Sequence, residues 1–165
     1  MSTVKTLQIT SQNSADTEKL GEQIGSKLRG GEILELSSDV GGGKTTFTRG
    51  LARGAGSQDR VSSPTFTVSK EYDTPNVKIF HYDFYRLDDA GIMRLELAES
   101  MSDPHAVIVI EWSDIVGGVL PEKRLQIEFK RIATITNGNA DGDEPRGVML
   151  TIPEEMSYLV EGMPT

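Results

Sequence analysis

The sequence predicts an α/β fold of three layers, in which helices cover a mixed, largely parallel central sheet. Three observations carry that prediction. Ile33, Leu34 and Leu36 make a short apolar strand that runs into a glycine-rich loop and then into helical spacing at Phe47, Leu51 and Ala55. The run Ala106–Ile110 is apolar on both faces, as a central parallel strand covered by helices must be. Leu125, Ile127 and Phe129, and later Val148, Leu150 and Ile152, alternate with polar residues, which marks half-exposed strands.

The elements follow in order. Leu20, Ile24 and Leu28 recur at helical spacing behind Asn13 or Ser14 as cap, with Asp16 and Glu18 in the first turn and Gly30-Gly31 as the stop. The strand at 33–36 and the glycine loop come next, and Gly54 and Gly56 end the helix that begins after the loop. Thr65–Tyr72 and Val77–Tyr85 read as a β-hairpin turned at Asp73-Thr74-Pro75-Asn76. A short helix is expected from about Asp89 to Met101, then the buried strand and the two alternating ones, which a Gly/Asn/Asp-rich loop separates. No repeat or Pro/Ser-rich linker divides the chain, so residues 1–165 are expected to form a single domain.

A hydrophobic fraction of 36% with 25% charged residues places the chain among globular proteins rather than disordered or membrane ones. The formal net charge of −8 argues against holding nucleic acid by its own field, which needs clustered Lys and Arg. Any contact with RNA is therefore expected through a partner. The absence of cysteine removes disulfides, thiolate metal sites and thiol nucleophiles, and fits a reducing compartment. No apolar stretch is long enough for a membrane span or a leader, so the expected address is the cytoplasm.

The chemistry concentrates in the loop Asp39-Val40-Gly41-Gly42-Gly43-Lys44-Thr45-Thr46. A phosphate-binding turn between a strand and a helix N-terminus needs inward backbone NH groups and no Cβ atoms in the way, which the three glycines provide. Lys44 would reach the β- and γ-phosphates, and the Thr45 hydroxyl is placed to ligate the Mg²⁺ that bridges them. This is a P-loop, with ATP and Mg²⁺ as the expected ligands, except that Ser38 stands where the G-x-x-x-x-G-K-[ST] pattern has its first glycine. At a positive φ that serine would cost about a kilocalorie or more.

A P-loop also needs an acid beside Mg²⁺, usually at the end of the neighbouring buried strand. Glu111, which ends the apolar run, is the candidate; the alternative is an ordinary exposed acid. Trp112 beside it either packs over the site or, as expected here, fills core. Thr65, in Ser62-Ser63-Pro64-Thr65, either senses the γ-phosphate and metal or merely begins a strand. Asp83 lies inside an apolar strand, where a carboxylate needs a partner: Arg86 or Lys44 structurally, or Mg²⁺ and the attacking water functionally. The candidate catalytic residues are thus Lys44, Thr65, Asp83 and Glu111, and Thr45 and Glu111 are the candidate metal ligands. His81 and His105 are assigned no chemistry. The acidic Asp141–Glu144 loop and the tail after Pro153 are expected to be a solvated loop and a frayed end, with partner surfaces as the alternative.

The order of motifs resembles the TsaE family, also called YjeE: a P-loop of the form D-L-G-A-G-K-T-T, then S-P-T-[FY], H-x-D-x-Y-R, E-W and L-P. Here these read Asp39–Thr46, Ser63-Pro64-Thr65-Phe66, His81-Tyr82-Asp83-Phe84-Tyr85-Arg86, Glu111-Trp112 and Leu120-Pro121. The chain departs at Ser38, Val40, Gly42 and Glu96. The resemblance implies a P-loop NTPase fold and a bacterial ATPase needed for threonylcarbamoyladenosine at position 37 of tRNA, acting with the TsaB and TsaD proteins. It also implies that Lys44 binds phosphate, Thr45 and Glu111 hold Mg²⁺, and Asp83 serves the catalytic site. A small-molecule kinase usually adds an arginine-rich lid, and a GTP switch carries N-K-x-D; neither is present. A non-hydrolysing nucleotide-binding module remains the other alternative.

Overall fold

The computed structural model describes residues 3–38, 43–64, 67–85, 87, 91–132 and 145–163. In chain order the elements are β1 (Val4–Ser11), α1 (Ser14–Gly25), β2 (Ile33–Ser38), α2 (Lys44–Gly54), β3 (Ser69–Asp73), β4 (Lys78–Asp83), α3 (Gly91–Met101) and β5 (Ala106–Glu111). A 3-10 turn at Ser113–Val116, β6 (Leu125–Arg131), β7 (Arg146–Pro153) and a 3-10 stretch at Glu154–Val160 complete them. Among the described residues the strands form one seven-stranded sheet in the order β1-β7-β6-β2-β5-β4-β3. The central pairs β6–β2, β2–β5 and β5–β4 are parallel, while the flanking pairs are antiparallel. The sheet is therefore mixed, with its parallel block at the centre, where all six residues of β5 are buried.

Alternation along the strands divides the core. Leu34, Leu36, Ile79, Val107, Val109 and Phe129 join α1 and α2 on one face, whereas Ile33, Tyr82, Ile108 and Ile110 meet Leu97 of α3 and Val116 on the other. Asn13 caps α1 by accepting the Asp16 amide at 2.9 Å, and Asp16 returns a bond to the Gln12 amide, also 2.9 Å. What holds α1 against α2 is glycine at matching i, i+4 positions. A Cβ on Gly21, Gly25, Gly50 or Gly54 would lie 2.2, 2.1, 1.9 or 2.2 Å from a carbonyl oxygen of the facing helix. The two backbones thus touch, and Phe47 reaches through to Phe129 of β6 with ring centroids 5.8 Å apart. This packing fixes where α2 begins, and so where the glycine loop delivers its residues.

The structure corrects several sequence expectations. The expected strand over Thr65–Tyr72 begins at Ser69, with Thr65 and Phe66 outside the described residues. The Pro64 carbonyl accepts the amides of Thr67 and Val68, and Val68 has φ 69°, so the chain turns before it extends. The helix expected from about Asp89 to Met101 is present as α3 from Gly91 to Met101, with Asp89 outside the described residues. The tail after Pro153 is docked rather than frayed, since Met156, Leu159, Val160 and Met163 are buried in the α1/α2 core. The Asp141–Glu144 loop falls outside the described residues. β1 has no counterpart in the sequence reading; β7 supplies its ladder, from Val4 opposite Pro153 to Ser11 opposite Arg146. No helix among the described residues is long and apolar enough to cross a membrane.

Candidate functional site

The parallel strands β2, β5 and β4 end on one edge of the sheet, and α2 begins at that edge. Gly43 is the N-cap of α2 with φ 100°, a left-handed conformation that favours glycine, and its carbonyl accepts the Phe47 amide at 2.9 Å. The first turn of α2 contains no acidic residue, unlike that of α1 with Asp16. The helix dipole and the free amides of the first turn therefore face the edge uncompensated by any acid in that turn. Residues 39–42, the remainder of the loop, lie outside the described residues. Ser38, the departure from the P-loop pattern, is the last residue of β2 and pairs with Phe129. Among the described residues only Val68 and Trp112 are non-glycines with positive φ, so the anticipated strain at Ser38 does not arise.

Asp83 and Glu111 are register partners at the ends of β4 and β5, exposed by only 4% and 3%. Glu111 is therefore not an ordinary surface acid. Its Oε1 lies 3.6 Å from Lys44 Nζ, which brings the start of α2 to the end of β5. Asp83 Oδ1 accepts the Tyr85 amide at 3.0 Å, which turns the chain out of β4. Thr45 lines the neighbouring cleft of about 580 Å³ with Arg49, Arg60, Ser62 and Ser63. Thr46 is half-buried on the same first turn.

Trp112 belongs to this site and not to the core. It is 37% exposed with φ 56°, a sparsely populated conformation that costs on the order of 1–3 kcal/mol and tends to mark functional positions. Its ring lies 4.8 Å from that of Tyr85, and Lys44 Nζ sits 4.7 Å above it. The ammonium thus rests between a carboxylate and an aromatic face.

His81 is the residue the sequence reading missed. It is wholly buried, and its Nε2 lies 2.6 Å from Glu111 Oε2. A period-two count along β4 would have found it, because Ile79, His81 and Asp83 share one face of the strand. Behind it, Tyr72 stands 6.2 Å away ring to ring and donates to the Ser62 carbonyl at 3.1 Å. Burial pushes the Tyr72 phenol above its ordinary pKa, and the charge on Glu111 adds to the effect, so the proton for that bond is retained. Lys70 Nζ donates to the Ser62 hydroxyl as well. The segment leading to Thr65 is thereby anchored to β3, whereas Thr65 itself and Arg86 lie outside the described residues.

Comparison with known proteins gives a consistent picture. Residues 11–137 match the family model described as threonylcarbamoyl adenosine biosynthesis protein TsaE. The chain is 34% identical over 148 residues to the tRNA threonylcarbamoyladenosine biosynthesis protein TsaE of Bacillus subtilis, covering 90% of this chain and 87% of that one. It is 36% identical over 137 residues to the protein of the same name from Streptomyces coelicolor, covering 81% and 88%. The crystal structure of Bacillus subtilis YdiB superposes with a TM-score of 0.75 at 29% identity, over 96% of this chain and 94% of that one.

Proposed function

The chain belongs to the TsaE family, and from that premise we propose that it is a Mg²⁺-dependent ATPase serving the formation of threonylcarbamoyladenosine in tRNA. The observation that carries this reading is the contact of Lys44 Nζ with Glu111 Oε1 at 3.6 Å, because it joins the phosphate-binding helix start to a buried acid. In the proposed cycle the amides of residues 39–43 cradle the phosphates, and Lys44 leaves Glu111 to bind the β- and γ-phosphates. Thr46 follows in the first turn and completes the cradle.

The donor set fits Mg²⁺. Thr45 offers a hydroxyl and Glu111 a carboxylate, hard oxygen ligands of the kind that cation shares with water and nucleotide phosphates. Bound there, Mg²⁺ would neutralise the charge of the phosphates. Asp83, buried in register with Glu111, orients the attacking water and receives its proton as the water adds in line to the γ-phosphorus; ADP leaves. Thr65 is assigned to sensing the γ-phosphate, and Lys44 with the loop amides stabilises the developing charge. Thr17, whose methyl would lie 3.7 Å from a Cβ at Gly43, brings the 11–17 segment beside that glycine, and the adenine is assigned to this segment.

The names of the relatives support the tRNA pathway as the setting; the cytoplasm as the compartment and TsaB and TsaD as the partners are part of the proposal. The net charge of −8 suits docking on a more basic protein and contact with tRNA only through the complex. Turnover by the isolated chain should be slow. Phosphate release measured alone and with TsaB and TsaD should rise at least about tenfold on adding the partners, and Glu111→Gln should lower it about 100-fold. Turnover indifferent to both partners would contradict the accessory role. Tight Mg²⁺-ADP binding with no hydrolysis under either condition would leave a nucleotide-binding module.

A further inference from the structure

Glu111 divides its two oxygens between two partners: Oε1 faces Lys44 Nζ at 3.6 Å, and Oε2 lies 2.6 Å from His81 Nε2. His81 is 0% exposed, and its other nitrogen, Nδ1, has no hydrogen-bond partner among the described residues. An N–H at Nδ1 would be a buried donor without an acceptor, whereas an N–H at Nε2 has Glu111 to receive it. Rotation of the carboxylate is then blocked, since turning Oε2 away from the imidazole leaves that donor unmet.

We propose that His81 is a positioning residue for the cation site: as the Nε2–H tautomer it pins Glu111 Oε2, so that Oε1 alone faces the start of α2. Lys44 faces Oε1. When nucleotide draws the ammonium to its phosphates, Oε1 is released toward the cation in an orientation already set. Hydrogen bonds that orient a ligating carboxylate are typically worth 10–100-fold in metal affinity. This role rests on the nucleotide-and-cation reading above.

The test uses the full chain and two readouts. The chain has two histidines, so ¹⁵N-histidine NMR of the ligand-free protein, assigned with His105→Asn, reports the His81 tautomer directly. Protonated Nε2 and bare Nδ1 are expected; the reverse tautomer overturns the proposal. In the second readout, Mn²⁺ binding is titrated by electron paramagnetic resonance in the presence of saturating ADP. His81→Leu should weaken Mn²⁺ at least about tenfold while metal-free ADP affinity stays within about twofold, and His81→Gln, whose amide keeps a donor near Nε2, should recover most of the loss. Equal Mn²⁺ affinity in wild type and His81→Leu overturns the positioning role alone. Equal losses of Mn²⁺ and metal-free ADP binding in both variants make the effect a general structural one and overturn it too. Wild type that binds no Mn²⁺ with ADP overturns the nucleotide reading and this role with it.

Discussion

At the scale of single residues, the site is a chain of polar contacts that runs from the half-buried Lys44 into the core. Lys44 rests between Glu111 and the face of Trp112, and Glu111 rests between Lys44 and His81. The sequence made Lys44, Asp83 and Glu111 legible, because a charged residue at the end of an apolar strand or after a glycine run has few structural reasons to be there. Trp112 and His81 were not legible, for opposite reasons. A tryptophan after a buried strand looks like core, and only the positive φ turns its ring outward over Lys44. A lone histidine looks inert until the neighbouring strand places a carboxylate against it. Trp112 is the single tryptophan of the chain, so its emission reports the resting place of Lys44. Lys44→Met should change the emission of the ligand-free protein, and saturating Mg²⁺-ADP should change that of the wild type. Identical ligand-free spectra for Lys44→Met and wild type would contradict the cation–aromatic contact.

Among the elements, α1 and α2 decide the geometry, and they do so through four glycines, of which the sequence pattern singles out only Gly54, as a helix stop. Gly54 ends α2, but it also lies against the backbone of α1, as Gly50 does one turn earlier. Glycine at four-residue spacing removes side chains from one stripe of a helix, and hydrophobic periodicity does not register a missing side chain. Gly50→Ala should therefore destabilise the fold by about 1–3 kcal/mol or more in urea unfolding, since its methyl would enter the Glu18 carbonyl at 1.9 Å. Gly118→Ala is the control, with nothing within 4 Å of the added carbon, and should be close to neutral. Similar losses for the two would argue against the helix contact. β1 escaped for a different reason: its ladder comes from β7 at the far end of the chain, and that pairing leaves little local signal in a half-polar edge strand.

For the whole molecule, order and spacing carried more than composition did. A strand, a glycine loop and a helix, followed by an acid after a fully apolar strand, are enough to specify a parallel centre whose strand ends meet the start of α2, and the sheet order places β5 beside β2 as that logic requires. Composition bounded the partners through the net charge but was silent on the C-terminal stretch, whose Met156, Leu159 and Val160 close the α1/α2 core. Ser38 was the one feature that set the P-loop pattern against the rest of the chain. Its place in the extended β2 ladder removes the backbone objection, so the fold and the motif agree. The central claim, that this edge binds a nucleotide phosphate with Mg²⁺, is tested most directly by calorimetric titration of the protein with ADP, with and without Mg²⁺, beside Lys44→Ala. Binding that Mg²⁺ strengthens and that Lys44→Ala weakens by about 100-fold is the expected result. No binding by the wild type, or equal binding by Lys44→Ala, would contradict the account.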